Sequence, residues 1–472
     1  MSEKTVAQAE LQRQKNYAEM VHTVLSARIS GEPKAFVHTY GCQGNVADSE
    51  RIKGMLSEMG YTFTESEDEA DLILFNTCAI REHAEDRVFG NVGALKSKKK
   101  RNPGCVIALC GCMMQQSQVA ERIKNSYRFV DLVFGTHVVH KLPEMLYKVL
   151  CTGSRVFELP QSDGVIAEGL PVSRDSSFKA WLPIMYGCNN FCSYCIVPYV
   201  RGRERSRDPE TVVSEARELV KQGYKEITLL GQNVNSYGKD LPNPISFSEL
   251  LKRINDIEGD FIIRFMTSHP KDCTHELLDT MASCEKAARH LHLPFQSGNN
   301  RVLKEMNRRY TREKYLELVE YAKEKMPDIS LTSDVIVGFP GETYEEFQDT
   351  VSLIREVGFT SLFTFIFSPR EGTPAYSMDD PVSAEEKGKW FREMLKVQEE
   401  IAGERTAKLV GTTAKVLAEE QDENGYVSGR TGGNVIIRFK CDNPEKVIGN
   451  FVNVKVTNAL TWIVEGELIS DN

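Results

Sequence analysis

Three cysteines crowd into the stretch YGCNNFCSYC, where Cys188, Cys192 and Cys195 are spaced C-x3-C-x2-C. Thiolates bind soft iron, and a cubane iron–sulfur cluster held by only three of them leaves one iron open to a chelating ligand. S-adenosylmethionine (SAM) offers such a chelate through its amino and carboxylate groups. A structural zinc site is the plainer alternative. Zinc, however, ordinarily closes four ligands with paired C-x2-C knuckles, and no second knuckle follows nearby.

A second trio is scattered. Cys42, Cys78 and Cys112 lie more than thirty residues apart, in HTYGCQ, FNTCAI and ALCGCM. Each directly follows an apolar run that reads as a strand, and parallel strands deliver their carboxyl ends to one edge of a sheet, where such sheets bind ligands. Three thiolates meeting there could hold a second cluster with one iron open. The alternative is three buried cysteines packing as small hydrophobes. Cys105 and Cys110 belong to the apolar strand itself and read as core, while Cys151, Cys273, Cys284 and Cys441 show no comparable arrangement and read as structural.

The elements that must position these thiols follow from the texture of the chain. Its 472 residues exceed what one hydrophobic core supports, so two or three domains are expected. With 41% hydrophobic and 26% charged residues, disorder and a disulfide miniprotein are excluded as the overall class. The polar start of the chain and the lack of any run of about 18 apolar residues argue against secretion and membrane spanning, so a cytoplasmic location is expected. In that reducing compartment the 12 cysteines are not expected to pair as disulfides.

After a polar N-terminal extension over 1–33, residues 34–150 alternate short Val/Ile/Leu/Phe runs with amphipathic stretches. That pattern predicts an α/β domain on an open parallel sheet. A linker is predicted over 151–173. From 174 to 406 six further βα units follow, with strands expected at 181–186, 226–230, 261–266, 290–295, 329–337 and 362–367, a partial (β/α)6 barrel. Residues 407–472 change to short alternating strands and turns, a small all-β barrel. The C-x3-C-x2-C loop leaves the first barrel strand, at the face where such barrels carry their active sites.

A C-x3-C-x2-C loop after the first strand of a six-fold βα repeat resembles the radical SAM superfamily. In that family, residues at later strand ends hold the amino group, carboxylate, ribose and adenine of SAM. The matching stretches here are LLGQNVNSYG, MTSHP, HLPFQSGN and SDVIVGFPGET. The resemblance therefore implies SAM-binding roles for Gln232, Asn233, Ser268, Gln296 and Asp334. The family's usual GGE after the second strand is replaced by Gly231-Gln232-Asn233, which would bring an amide rather than a carboxylate to the ammonium of SAM.

A cysteine-bearing α/β domain, a radical SAM barrel and a C-terminal β module, in that order over about 34–470, resemble the methylthiotransferase family. VPYVRGRERSR is most similar to its tRNA branch, and the tail resembles a TRAM domain. The resemblance implies two [4Fe-4S] clusters, each on three of the six cysteines, and two SAM molecules per turnover. One SAM gives a methyl group to a sulfur on the Cys42/Cys78/Cys112 cluster. The other, on the Cys188/Cys192/Cys195 cluster, is reductively cleaved to a 5'-deoxyadenosyl radical that takes hydrogen from the substrate. The implied product carries a methylthio group on carbon 2 of N(6)-isopentenyladenosine next to the anticodon, a substitution beyond side-chain acid–base chemistry.

The implied partners are the tRNA anticodon stem-loop, an electron donor such as a flavodoxin or ferredoxin, and a sulfur or cluster donor; a monomer without membrane attachment is expected. Candidate phosphate contacts are Arg201, Arg203, Arg205 and Arg207 beside the cluster loop, SKKKR at 97–101, Arg308 and Arg309, and in the tail Arg430, Arg438 and Lys440. The net charge of −9 argues mildly against nonspecific RNA binding. The tail carries seven Lys or Arg against nine Asp or Glu, so its charges could equally protect an edge strand. Two readings within the family compete, with threonylcarbamoyl adenosine or a ribosomal-protein aspartate as substrate. A third, of another class, is a non-catalytic iron–sulfur RNA-binding protein.

Overall fold

The computed structural model describes residues 5–79 and 82–469. The chain divides into two compact units. The first holds the chain up to Asp175 with Met185–Asn189 and Cys195–Arg207; the second holds Ser176–Ile184, Asn190–Tyr194 and the chain from Asp208.

The first unit is built on six parallel strands, β1 (Lys34–Thr39), β2 (Thr62–Phe63), β3 (Leu72–Thr77), β4 (Val106–Gly111), β5 (Leu132–Phe134) and β6 (Val156–Glu158). They are ordered β2-β1-β3-β4-β5-β6. The central strands β3 and β4 are buried along their whole length, as apolar runs covered on both faces must be. Their alternation sends Leu72, Leu74, Val106 and Ala108 to one core and Ile73, Phe75, Ile107 and Leu109 to the other. Cys110 joins the first core and Cys105 the second.

The structure differs from the sequence reading at both ends of this unit. The polar extension contains helix α1 (Gln8–Arg28), which buries Gln14, Ala18, Val21 and Leu25. That is one stripe at helical spacing, too narrow to stand out in a polar segment. Gln14 donates to Glu144 Oε2 at 3.2 Å and accepts from the Glu144 amide, tying α1 to the helix Leu142–Thr152. The expected linker over 151–173 contains β6, a three-residue edge strand bonded to β5 whose Val156 packs against one core and Phe157 against the other.

Helix α2 (Gln43–Glu58) follows β1 and is pinned by a close approach. A Cβ on Gly54 would lie 2.3 Å from the carbonyl oxygen of Pro171. Ser173 N donates to Glu50 O, and Arg174 pairs with the buried Glu50 carboxylate.

In the second unit, β7 (Lys179–Pro183), β8 (Glu226–Leu230) and β9 (Ile262–Phe265) form one parallel sheet, and β10 (His290–His292), β11 (Ser330–Val337) and β12 (Ser361–Ile366) another. The bridge between Ile263 and Ala287 links them, so six parallel strands run in sequential order as a partial barrel. Five strands between Thr413 and Leu468 close on themselves around Val416, Val427, Ile437, Phe439, Val454 and Val464. A closed barrel has no edge strand, which removes edge protection as the explanation of Arg430, Arg438 and Lys440. Arg264 pairs with Glu226 at 2.6 Å and donates to the carbonyls of Thr431 and Gly432, joining the two barrels of this unit.

Gly54→Val is expected to destabilise the protein by about 1–3 kcal/mol through overpacking against residue 171. Denaturant unfolding followed by circular dichroism measures this; an unchanged midpoint would show that the 165–174 segment is not docked on α2.

Candidate iron–sulfur and SAM sites

The strand order β2-β1-β3 reverses direction between β1 and β3, the position at which open α/β sheets bind ligands outside their carboxyl ends. Cys42, the residue preceding α2, follows β1, Cys78 follows β3 and Cys112 follows β4. Glycines let the chain turn tightly there. Gly41 has φ +121°, and a Cβ on it would lie 2.5 Å from Cys78 Cβ; Gly111 has φ +97°, and a Cβ on it would lie 2.3 Å from Thr77 O.

Polar side chains brace this edge. Asn45 donates to Thr77 O at 2.9 Å and to Asn76 Oδ1 at 3.1 Å, and Asn76 donates back to Asn45 O and to Ser49 Oγ. The Cys42 thiol lies 3.3 Å from Asn45 Oδ1. Cys112 is buried with Ala79, Ile196 and Val200. Its thiol is pushed up to about 12 by burial, against the opposing pull of Arg201. Arg201 donates from Nε to Cys112 Sγ at 3.0 Å and pairs through Nη1 with Asp48 at 2.7 Å.

Among the described residues no three His, Cys, Asp or Glu side chains converge as the ligands of a single ion. Soft thiolates of this kind are the donors that iron–sulfur clusters take.

In the C-x3-C-x2-C loop, Cys188 and Cys195 fall in the first unit and Cys192 in the second. The Cys188 amide donates to Gly202 O at 3.1 Å. In the second unit, Asn307 donates to the carbonyls of Asn190 and Phe191, and Ser193 donates through Oγ to Glu305 O. The Nη1 of buried Arg308 lies 3.5 Å from Cys192 Sγ, while its other nitrogens donate to Pro294 O and Tyr310 Oη. Six non-glycine residues have φ between 47° and 66° among those described, and five of them, Phe191, Thr267, Gln296, Asn307 and Arg309, belong to these loops. Such conformations persist only where surroundings over-determine them, and they concentrate at functional sites.

The barrel strand ends carry buried acceptors. Gln232 Oε1, Asn233 Oδ1, Ser268 Oγ and Gln296 Oε1 are buried and, among the described residues, have no hydrogen-bond partner in the protein. Each such atom costs roughly 1–3 kcal/mol if left so, a penalty that a bound ammonium and ribose diol would relieve. Asn233 is held by donation from Nδ2 to Asp272 at 2.7 Å. The same loops hold two residues the sequence reading passed over, Asn235, with both side-chain polar atoms unpartnered, and His269, unpartnered at Nε2. His269 is held well below its ordinary range by burial, then by the charges of Arg308, Lys271 and Arg309, so it is neutral at physiological pH. The sequence signal for both was adjacency to residues already singled out. Asp334 adjoins Gln296, whose amide donates to the Asp334 carbonyl at 2.9 Å. It lies inside β11 rather than beyond its end, half-buried, with Oδ1 3.4 Å from His292 Nε2.

The expected phosphate contacts differ in exposure. Arg201, Arg205, Arg207 and Arg308 are buried. Arg205 donates to the carbonyls of Arg203 and Arg201, and Arg207 grips Glu168 bidentately, so these guanidinium groups serve the interior. Arg203 and Arg309 are exposed. In the SKKKR run, Lys98 donates to Asp68 O, and Lys99 and Arg101 pair with Asp131 and Asp68 of the same unit. In the tail barrel Arg430 pairs with Glu419 and Arg438 with Glu465, while exposed Lys440 lies over the ring of Tyr426.

Comparison with known proteins places these features in context. Residues 182–354 match the Radical SAM superfamily, residues 34–135 match the group described as uncharacterized protein family UPF0004, and residues 407–469 match the TRAM domain. The chain is 50% identical over 436 residues to a tRNA-2-methylthio-N(6)-dimethylallyladenosine synthase of a Thermoanaerobacter species, covering 92% of each chain. It is 49% identical over 443 residues to the enzyme of the same name from Acetivibrio thermocellus, covering 93% of this chain and 92% of the relative. Among solved structures, the radical S-adenosylmethionine methyltransferase TsrM from Kitasatospora setae, with cobalamin and a [4Fe-4S] cluster bound, superposes with a TM-score of 0.55 at 14% identity. The match covers 89% of this chain and 85% of TsrM, a likeness of fold.

Burial of Cys112 and exposure of Cys42 generate a direct expectation for the cluster-free protein. Iodoacetamide should label Cys112 at least about tenfold more slowly than Cys42, because the thiolate reacts and a buried thiol held near 12 remains protonated. Peptide mass spectrometry over a time course reads both rates; equal labelling would show that Cys112 is not buried in this way.

Proposed function

The chain belongs to the family of tRNA-2-methylthio-N(6)-dimethylallyladenosine synthases, and from that premise we propose how its own residues carry a radical SAM methylthiotransfer to tRNA. The buried acceptors at the carboxyl ends of β8, β9 and β10 carry this reading. Four side chains with unsatisfied polar atoms on a radical SAM barrel are what a bound SAM would complete.

In the proposal Cys188, Cys192 and Cys195 hold one [4Fe-4S] cluster and Cys42, Cys78 and Cys112 hold a second. When bound, these clusters supply a one-electron reductant for SAM and a sulfur for transfer to the unactivated carbon 2 of the isopentenylated adenosine. Gln232, Asn233, Ser268 and Gln296 bind and orient SAM, with Asn235 and His269 completing the polar wall. As a neutral imidazole, His269 offers Nε2 for a hydrogen bond without adding positive charge beside a cationic cosubstrate. Asp334, whose carbonyl accepts from the Gln296 amide, is assigned to the same SAM site. Substrate is taken from the tRNA anticodon loop, where an unstacked base can be splayed out for chemistry. Its phosphates are assigned to the exposed cations Arg203, Arg309 and Lys440 rather than to the buried arginines.

No helix among the described residues is long and apolar enough to cross a membrane. A cytoplasmic, monomeric enzyme served by a flavodoxin or ferredoxin and by a separate sulfur donor completes the proposal.

The test is anaerobic reconstitution with iron and sulfide, followed by SAM, a reductant and isopentenylated tRNA, with nucleoside mass spectrometry. The wild-type chain should yield a nucleoside heavier by methylthio in place of hydrogen. Cys188→Ala should abolish both SAM cleavage and product, while Cys42→Ala should keep SAM cleavage and lose product. Equal loss of SAM cleavage in the two variants would contradict the division of labour between the cysteine trios.

A further inference from the structure

A buried guanidinium is a demanding thing to place in a protein, because desolvation of an unpaired charge costs several kcal/mol. This chain places one beside a cysteine of each trio. In the first unit Arg201 is enclosed, directs Nε at Cys112 Sγ at 3.0 Å and is anchored by Asp48 at 2.7 Å and Asn45 Oδ1 at 3.4 Å. In the second unit Arg308 is enclosed, directs Nη1 at Cys192 Sγ at 3.5 Å and is anchored by Pro294 O at 2.6 Å and Tyr310 Oη at 3.1 Å.

The anchors differ in kind. Asp48 returns a negative charge to Arg201, whereas Arg308 is held by neutral acceptors, so the two thiolates are offered different net fields. What the two sites share is an N–H donor from a fixed guanidinium to a single cysteine sulfur. The named contacts of each arginine lie within its own unit.

We propose that Arg201 and Arg308 are positioning residues for the two clusters, each donating a charge-assisted hydrogen bond to one cysteine sulfur and thereby making its own cluster easier to reduce. The proposal rests on the assignment of the six cysteines to two clusters. Its physical basis is that an added electron raises the negative charge on the cluster sulfurs. A donor fixed on one of them therefore stabilises the reduced form more than the oxidised form. The couple is a one-electron exchange between the 2+ and 1+ states of each cubane, with the electron supplied from outside the chain. The arginines move no electron or proton themselves.

The experiment uses two full-length backgrounds, one with Cys188, Cys192 and Cys195 changed to Ala and one with Cys42, Cys78 and Cys112 changed to Ala. Arg201→Gln and Arg308→Gln are each made in both backgrounds. Iron and acid-labile sulfide are counted first, and each protein is then titrated anaerobically with dithionite while the reduced cluster is followed by electron paramagnetic resonance.

Each background is expected to hold about four irons. Arg201→Gln should weaken electron affinity on the order of tenfold, which is 59 mV for a one-electron couple, only where Cys42, Cys78 and Cys112 remain. Arg308→Gln should do so only where Cys188, Cys192 and Cys195 remain. Equal midpoints with and without the partnered arginine would overturn the proposal, as would equal shifts in both backgrounds. Should a Gln variant fail to load iron, the corresponding Lys variant, which keeps the charge but loses the planar donor, is measured instead. A loaded Lys variant with a lowered midpoint supports the proposal; one that is unloaded or unshifted overturns it in favour of a role in assembly alone. A background that takes up no iron refutes the cysteine assignment itself, and the arginine proposal with it.

Discussion

Parallel strand pairing carries the carboxyl ends of consecutive strands to one edge, and Cys42, Cys78 and Cys112 each stand just beyond such an end. Register does the aligning. Ala35 to Thr39 pair one for one with Leu72 to Asn76, and Leu72 to Thr77 with Val106 to Gly111, so the three chains leave the sheet at nearly the same level. Cysteines more than thirty residues apart in sequence thereby become neighbours, without any local motif to announce them. The same constraint in the second unit delivers Gln232, Ser268 and Gln296 from three successive barrel strands.

Bringing polar groups to an enclosed sheet edge raises a desolvation penalty, and the surrounding residues answer it by satisfaction rather than exposure. Asn45 and Asn76 exchange hydrogen bonds across the mouth between β1 and β3, so that two side-chain amides and the Thr77 carbonyl are paired without water. Arg201 and Asp48 form a buried ion pair whose positive end meets a sulfur. Breaking either partner of such a pair would leave an uncompensated charge, at about 3–5 kcal/mol. The barrel differs: there the acceptors of Gln232, Asn233, Ser268 and Gln296 are left unpaired by the protein, as expected of a wall that is completed by its cosubstrate.

Much of this was legible in the sequence because it was written in spacing and period. The Val/Ile/Leu/Phe runs marked β3 and β4, the six barrel strands fell within a few residues of their expected bounds, and the loop of Cys188, Cys192 and Cys195 announced itself. Two kinds of information were hidden. One was burial of charge: the arginines of VPYVRGRERSR read as phosphate contacts, yet Arg201, Arg205 and Arg207 each find an internal acceptor, and such acceptors come from distant positions such as Asp48 and Glu168. The other was weak patterning, since α1 buries only a narrow stripe and β6, at three residues, is too short to show a period.

The central claim is that two separate trios of strand-end cysteines each hold a cubane, and that only the loop cluster binds SAM as a ligand of an iron. Mössbauer spectroscopy of the chain reconstituted with iron-57, before and after SAM, tests it most directly. The account predicts two cubanes per chain, with addition of SAM changing the signal of one iron in one of them. Loss of Cys42, Cys78 and Cys112 should leave that response intact. A single cubane, or a SAM response that disappears with those three cysteines, would contradict it.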